Sequence, residues 1–238
     1  MLSLKRKAAI IFLFGIALYF WFLLPEKLFD KPTSFVIESR EGVLMGASIA
    51  SDGQWRFPQS DSIPEKFKKC IIAFEDKRFY HHPGIDLLAL FRAIRLNVAQ
   101  RKVVSGASTI TMQTIRLATG KKRNLFNKFL EGIKALRLEI SYSKDEILTL
   151  YAGNAPFGTN VVGLDAAAWR YFGRNPELLS WGEMAALAVL PNAPSLVHPG
   201  RNPTLLLKKR NNLIDILHKE GVISSAEAKL AKLEPIPG

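Results

Sequence analysis

The chain has 238 residues, 48% hydrophobic and 23% charged, and its 33 Lys and Arg against 21 Asp and Glu leave a net charge of +12. This composition excludes a disordered tail, and the single cysteine, Cys70, excludes a disulfide scaffold. At roughly 150 residues per domain the length predicts one domain plus an additional segment.

That segment lies at the start. Ala8 to Leu24 is a run of 17 residues without a charge. As a helix rising about 1.5 Å per residue it would be roughly 26 Å long, which predicts a membrane anchor. Lys5, Arg6 and Lys7 precede it, while Glu26, Lys27, Asp30 and Lys31 follow with no net charge, so the N-terminus is expected in the cytoplasm. A cleaved signal peptide is the alternative, but the apolar run is longer than a usual signal core and continues into Leu24-Pro25-Glu26-Lys27 rather than a small-x-small site. The reading is a cytoplasmic tail over 1–7, a single-pass anchor over 8–25 and everything beyond on the extracytoplasmic, or periplasmic, side of the cytoplasmic membrane. On that topology the positive charge meets anionic lipids and phosphorylated lipids, not nucleic acid.

From Lys31 to Pro58 the chain reads as short β-prone pieces between glycine turns, a small hairpin within a linker over 26–60. From Ser62 onward it reads as helices. Four Ser-x-x-Glu capping boxes mark expected N-termini: Ser62 with Glu65, Ser143 with Glu146, Ser180 with Glu183 and Ser224 with Glu227. Apolar residues recur at helical spacing in Ile63, Phe67, Ile71, Phe74, in Leu87, Phe91, Ile94, Val98, and in Phe126, Leu130, Ile133, Leu136, Ile140. Pro191 to Pro203 is a proline-rich connection before a basic helix around Lys208 to Leu217. Cys70, between Lys69 and Ile71, reads as a small buried apolar residue.

The densest polar cluster runs from Phe74 to Asp86. Glu75 falls on the last turn of a helix, Pro83 and Gly84 break the pattern, and Asp86 is placed to cap the next helix. The residues alone leave Glu75 open between a solvated helix end and a functional carboxylate. Ser105 to Gln113 is a hydroxyl-rich, glycine-containing loop entering a helix, suited to a phosphate or a sugar, or simply capped by a serine. Arg116, Lys121, Lys122, Arg123 and Lys128 follow within thirteen residues, either a solvated face or a pyrophosphate clamp. Glu131 lies beside Leu130 at the border of the apolar stripe, where Lys128 offers an ordinary surface ion pair. Glu75 and Glu131 belong to no capping box, and two such acids suit transfer at a glycosidic centre. His81 and His82 lack the companions a zinc site needs, so no metal ligand is assigned.

The succession Glu75-Asp76-x-x-Phe79-x-x-His82-x-Gly84, Gly106-x-Ser108-Thr109-Ile110-x-x-Gln113, Lys128-x-x-Glu131, Lys144-Asp145-Glu146-Ile147-Leu148-x-x-Tyr151, Phe157-Gly158 and Arg210 resembles the ordered motifs of the family 51 peptidoglycan glycosyltransferases. These are the polymerising domains of class A penicillin-binding proteins and the monofunctional transglycosylases. The similarity runs from about Phe35 to the end. Asp52 to Arg56, Ala155 to Gly158 and Leu190 to Ser195 are most similar to the C branch of the bifunctional proteins, in which case the chain stops before any transpeptidase domain.

The resemblance implies a mainly α, lysozyme-like domain over 61–238, with lipid II and the lipid-linked glycan as substrates and wall-synthesis proteins as partners. By the same resemblance Glu75 is the base that takes the acceptor's 4-hydroxyl proton, and Glu131 assists departure of undecaprenyl pyrophosphate. Ser108, Gln113, Arg116, Arg123 and Lys128 hold the donor or its pyrophosphate, Asp76 and His82 support the first motif, and Arg210 completes the substrate-binding set. No cofactor is required, and a divalent cation at the pyrophosphate is compatible with the family, although no residue pattern specifies its ligands.

Three positions depart from the family pattern: Arg116-Leu117 replaces Lys-Asn, Tyr151-Ala152-Gly153 replaces Tyr-Leu-Asn, and Asn127 replaces an arginine before Lys128. The rivals are a lysozyme-like enzyme that cleaves peptidoglycan and a non-catalytic membrane scaffold of wall synthesis. The basic run from Arg116 to Lys128 argues against cleavage, because hydrolysis of uncharged links has no use for it. Leu87, Leu88, Leu90, Phe91 and Leu96 exceed what one buried stripe needs, which predicts a face that dips into the membrane, with core packing as the alternative.

Overall fold

The computed structural model describes residues 4–101, 106–122, 124–192 and 200–237. The chain begins with α1 (Leu4–Trp21), followed by the short strands β1 (Val36–Glu38), β2 (Leu44–Ala47) and β3 (Trp55–Arg56). The helical part then runs α2 (Glu65–Glu75), α3 (Leu87–Gln100), α4 (Ile110–Thr119), α5 (Leu125–Ser141) and α6 (Lys144–Asn154). After β4 (Val161–Val162) come α7 (Leu164–Phe172), α8 (Trp181–Val189), α9 (Pro203–Lys219) and α10 (Ser225–Leu233). The fold is thus mainly helical, with two small sheets among the described residues.

α1 departs from the expected spanning anchor. Its first turn holds Lys5, Arg6 and Lys7, and the helix ends at Trp21 rather than continuing through Leu24. The uncharged helical part, Ala8–Trp21, is therefore about 21 Å long against a hydrocarbon core of about 30 Å. Among the described residues no helix is long and apolar enough to cross a membrane. The end of α1 is tied to the helical body: Arg137 Nε donates to the Trp21 carbonyl at 3.1 Å, and the Arg137 guanidinium lies 4.3 Å from the centre of the Trp21 ring.

β1 and β2 form the expected hairpin, antiparallel with Val36 opposite Ala47 and a bulge after Ile37. β3 pairs instead with β4, parallel, with Trp55 opposite Val161 and Arg56 opposite Val162. Arg56 is buried and donates to the Pro32 carbonyl and to Asp52, which holds the Asp52 carboxyl below its usual range. The stretch before Ser62 is therefore laced onto the helical body.

Three of the four capping boxes form as expected, at Ser143, Ser180 and Ser224. The fourth does not. Pro64 is the N-cap of α2, with an extended ψ of 138°, and it restricts Ile63 before it, so Ser62 lies too early to reach the first turn. α8 is the centre of the molecule: Gly182 and every residue from Met184 to Val189 are buried, and α2, α7, α9 and α10 pack around it. α4 forms a second focus against α5 and α6. Cys70 is fully buried in the core, and burial pushes its thiol pKa up.

Two apolar stripes do not face this core. On α3 only Ala93 is buried, while Phe91 is 68% exposed and Leu87, Ile94 and Val98 are also outside. On α5 the buried face is Glu131, Gly132, Ala135, Arg137 and Leu138, and Phe126 and Ile140 of the predicted stripe are exposed. The face is displaced because Gly132 and Ala135 allow the chain around Gly84 and Ile85 to come close. Gly84 has φ +91°, and a Cβ there would meet the Ala135 carbonyl oxygen at 2.9 Å, while one on Gly132 would meet Ile85 Cδ1 at 3.2 Å. Gly84→Ala is accordingly expected to lower stability by about 2–4 kcal/mol in denaturant unfolding, through both the unfavourable φ and the clash. An unchanged midpoint would show that this approach can relax freely.

Candidate active site

Glu75 is the last residue of α2, and Asp76, its C-cap, turns the chain inward. Asp76 Oδ2 accepts from the Ile110 amide at 3.0 Å, and Oδ1 lies 3.0 Å from His82 Nε2. The other ring nitrogen, Nδ1, accepts from the Gly84 amide at 3.2 Å, so Nε2 carries the proton donated to Asp76. Gly84 in turn accepts from Thr109 Oγ1 at 2.6 Å, and Thr109 caps α4 by accepting from the Met112 amide. A buried ring of hydrogen bonds thus fixes the end of α2 against the start of α4.

α4 then presents Gln113 and Arg116, one turn apart. Gln113 Nε2 donates to Glu75 Oε2 at 2.8 Å, and Arg116 Nη1 lies 3.9 Å from Glu131 Oε2 on α5. Both acids are therefore brought to the α4 face that carries Gln113 and Arg116. Glu131 is 5% exposed, well inside the surface position that its neighbour Leu130 suggests. A small cleft beside it is lined by Thr119, Lys121, Asn127, Leu130 and Lys134. Burial lowers the Lys134 pKa, and repulsion from Lys121 lowers it further, so this cleft crowds cations.

Two hydroxyls in this region, Ser108 Oγ and Tyr151 Oη, are buried without a hydrogen-bond partner among the described residues. Burial raises the Tyr151 pKa strongly, the Glu75 carboxylate raises it further and Arg116 opposes, so the phenol stays protonated within reach of both charges. The altered sequence after Tyr151 is closely packed: a Cβ on Gly153 would meet Gln59 Cγ at 3.1 Å, and one on Gly163 would meet the Gly153 carbonyl oxygen at 2.8 Å.

The structure separates the other candidates. Asp76 and His82 are buried and engaged with backbone and each other, so they hold the first motif in place and do not line the cleft. Arg210 also departs from a substrate-binding role. It has no exposure, and its guanidinium donates to the Glu234 and Lys232 carbonyls and to Asn211, tying α9 to the end of α10. Lys128 is half-buried near the start of α5. Arg123 and Ser105 lie outside the described residues.

Asp76, His82 and Asp86 place ligand-type atoms within 4.8 Å of one another. They do not fit a divalent cation: Asp76 is used by Ile110 and His82, Nδ1 of His82 by Gly84, and Asp86 caps α3 by accepting from Ala89 while lying 3.7 Å from Arg78. Three polar residues escaped the sequence reading. Lys134 is one turn beyond Glu131, Asn192 Nδ2 donates to Glu75 Oε1 at 3.2 Å, and Lys209 of α9 donates to Asn192 Oδ1 at 2.7 Å. In the sequence Lys209 stands beside Arg210 and Asn192 falls within the Leu190 to Ser195 stretch, but no pattern marks Lys134.

The transglycosylase family model matches residues 43–218. Over 215 residues the chain is 36% identical to penicillin-binding protein 1C of Escherichia coli, covering 90% of this chain and 28% of that protein. Over 177 residues it is 36% identical to penicillin-binding protein 1A of Aquifex aeolicus, covering 74% of this chain and 24% of that one. The chain belongs to the transglycosylase family of class A penicillin-binding proteins, and the expected likeness to the C branch is met. It spans about a quarter of the length of these relatives.

Asp76→Ala leaves the Ile110 amide and His82 Nε2 buried without their acceptor, and it is expected to cost about 2–4 kcal/mol in urea unfolding. Tyr151→Phe removes a hydroxyl that is unpaired among the described residues, so its unfolding midpoint is expected to stay level or rise; a loss above about 1 kcal/mol would show that the hydroxyl has a partner.

Proposed function

We propose that this chain is an inverting peptidoglycan glycosyltransferase that polymerises lipid II into glycan strands and releases undecaprenyl pyrophosphate. The observation that carries the reading is the attachment of two acids to one helical face, Glu75 through Gln113 and Glu131 through Arg116. Glu75, at a helix end and half-buried, acts as the base. It takes the proton of the acceptor's 4-hydroxyl, whose oxygen forms the new bond to the donor's anomeric carbon. The bond from that carbon to the pyrophosphate oxygen breaks, and the leaving group departs with its electrons. Arg116, Lys134, Lys121 and Lys128 supply positive charge where that negative charge develops, and Glu131 orders Arg116. The mutual repulsion of Lys134 and Lys121 would be relieved by a bound pyrophosphate, a feature that cleavage of uncharged glycosidic links would not call for. Ser108, whose buried hydroxyl is unpaired among the described residues, offers a further donor to the sugar or phosphate. Arg123 belongs to the same proposal on sequence grounds alone.

The membrane side of the reading rests on exposed apolar side chains in three segments. In α1 these include Ile11, Phe12 and Phe14; in α3, Leu87, Leu88 and Phe91; at the start of α5, Leu125, Phe126 and Phe129. Arg92 and Arg95 of α3 and Lys121 and Lys122 before α5 are exposed near them in sequence. Apolar side chains flanked by cations suit an anionic bilayer surface, and such a face would hold the domain where the prenyl chains of its substrates must remain. The reading places the domain outside the cytoplasmic membrane, with α1 inserted.

Labelled lipid II in detergent, offered to the full chain and to Glu75→Gln, tests the proposal. Glycan strands are expected from the parent, with a loss of about 10²–10⁴ in rate for the variant, the scale of a positioned base. Undiminished polymerisation by Glu75→Gln would remove Glu75 as the base. Release of sugar from finished peptidoglycan, without polymerisation, would favour the cleaving enzyme.

A further inference from the structure

Glu75 is gripped at both carboxylate oxygens. Gln113 donates to Oε2 at 2.8 Å, and Asn192 Nδ2 donates to Oε1 at 3.2 Å. A carboxamide can face a carboxylate with its N–H or with its carbonyl, and only the first is attractive. What selects that orientation in Asn192 is Lys209. The Lys209 ammonium donates to Asn192 Oδ1 at 2.7 Å. An ammonium has three donors and no acceptor, so the oxygen end of Asn192 must turn to Lys209, and the amide end is left for Glu75.

Lys209 is itself held in place. It rises from α9 and lies 5.8 Å from the centre of the Phe74 ring, on the residue immediately before Glu75. Burial lowers its pKa and the nearby Glu75 carboxylate opposes that shift. The neighbouring Arg210 fastens this stretch of α9 to the backbone of Lys232 and Glu234, so the placement of Lys209 beside Phe74 and Asn192 is set by the packing of α9 and α10.

We propose that Lys209 is a positioning residue for Glu75 that acts through Asn192: it fixes the direction of the Asn192 amide and thereby holds the Glu75 carboxylate in one place against Gln113. The proposal rests on Glu75 being the base. Its consequence for the reaction is expected in the chemical step, because the hydrogen bond of Lys209 goes to Asn192, which touches the base.

The test is a double-mutant cycle in the full chain, read as lipid II polymerisation, with thermal melts to confirm that each variant is folded. Lys209→Met is expected to lower kcat about tenfold, the scale of one lost hydrogen-bonded alignment, with KM for lipid II within about twofold. Lys209→Arg, which keeps a donor, should recover most of the rate. In an Asn192→Leu background, Lys209→Met should change kcat by less than about twofold, because the route through Asn192 is already cut. A rise in KM with kcat intact would assign Lys209 to direct substrate binding, and a full tenfold loss persisting without Asn192 would also overturn the relay. A crystal structure of Lys209→Met judges the proposal without turnover: Asn192 should release Glu75 Oε1, and an unmoved Asn192–Glu75 pair would reject it. If the parent chain does not polymerise lipid II, the glycosyltransferase reading fails, while this structural measurement still decides whether Lys209 positions Glu75.

Discussion

The arrangement of the cleft depends on the carboxylate of Asp76. It accepts from the first amide of α4 and from His82, while His82 holds Gly84 and Gly84 holds the Thr109 cap of the same helix. Buried hydrogen bonds to a charged acceptor contribute about 1.5–3 kcal/mol each, and their greater effect here is geometric. Glu75 precedes Asp76, and Gln113 lies one turn into α4, so the ring sets the distance between a carboxylate and its amide donor. The same ring presses the loop at Gly84 onto Ala135 of α5, which carries Glu131 one turn earlier. One buried anion thus places groups from three helices.

The second constraint is the use of small residues where backbones must approach. Gly132 and Ala135 make room for the Gly84–Ile85 turn, and Gly153 and Gly163 bring the end of α6 against the strand pair that includes β3. Close approach along one face of α5 forces its larger apolar residues outward. The exposed Leu125, Phe126 and Phe129 therefore follow from the same packing that buries Glu131. In the proposed function the two results serve one purpose, with a charged cleft for the pyrophosphate beside an apolar surface for its lipid.

Glu75 is approached from two sides by neutral amides, each backed by the fold. Gln113 is buried on α4, and Asn192 is oriented by a lysine of α9. Around Glu131 the neighbours are instead cations, with Arg116 at 3.9 Å and Lys121 and Lys134 lining the cleft. Neutral donors steer a carboxylate while leaving it able to receive a proton, whereas cations suit the stabilisation of a departing anion. The two acids are chemically alike and differ in what surrounds them.

By itself the sequence determined the helical class, three of the four capping boxes, the hairpin, the cap at Asp86 and the family, because these depend on local chemistry: a serine three residues before a glutamate, an acid before an apolar run, motifs in order. It also marked Glu75 and Glu131 as acids without a capping role. Only the tertiary structure decided which faces are buried, since an apolar stripe at helical spacing records a helix without naming what it packs against. That is why α3 turns its stripe outward and why Phe126 and Ile140 of α5 lie outside the core, whereas Ser62 yields its cap to Pro64 for a local reason, the proline beside Ile63. Arg210, a motif residue, proves to be a buried clamp on α10, while Lys209 beside it reaches the site. Adjacent helix residues point about 100° apart, so the choice between them belongs to how α9 is seated on α8 and α10.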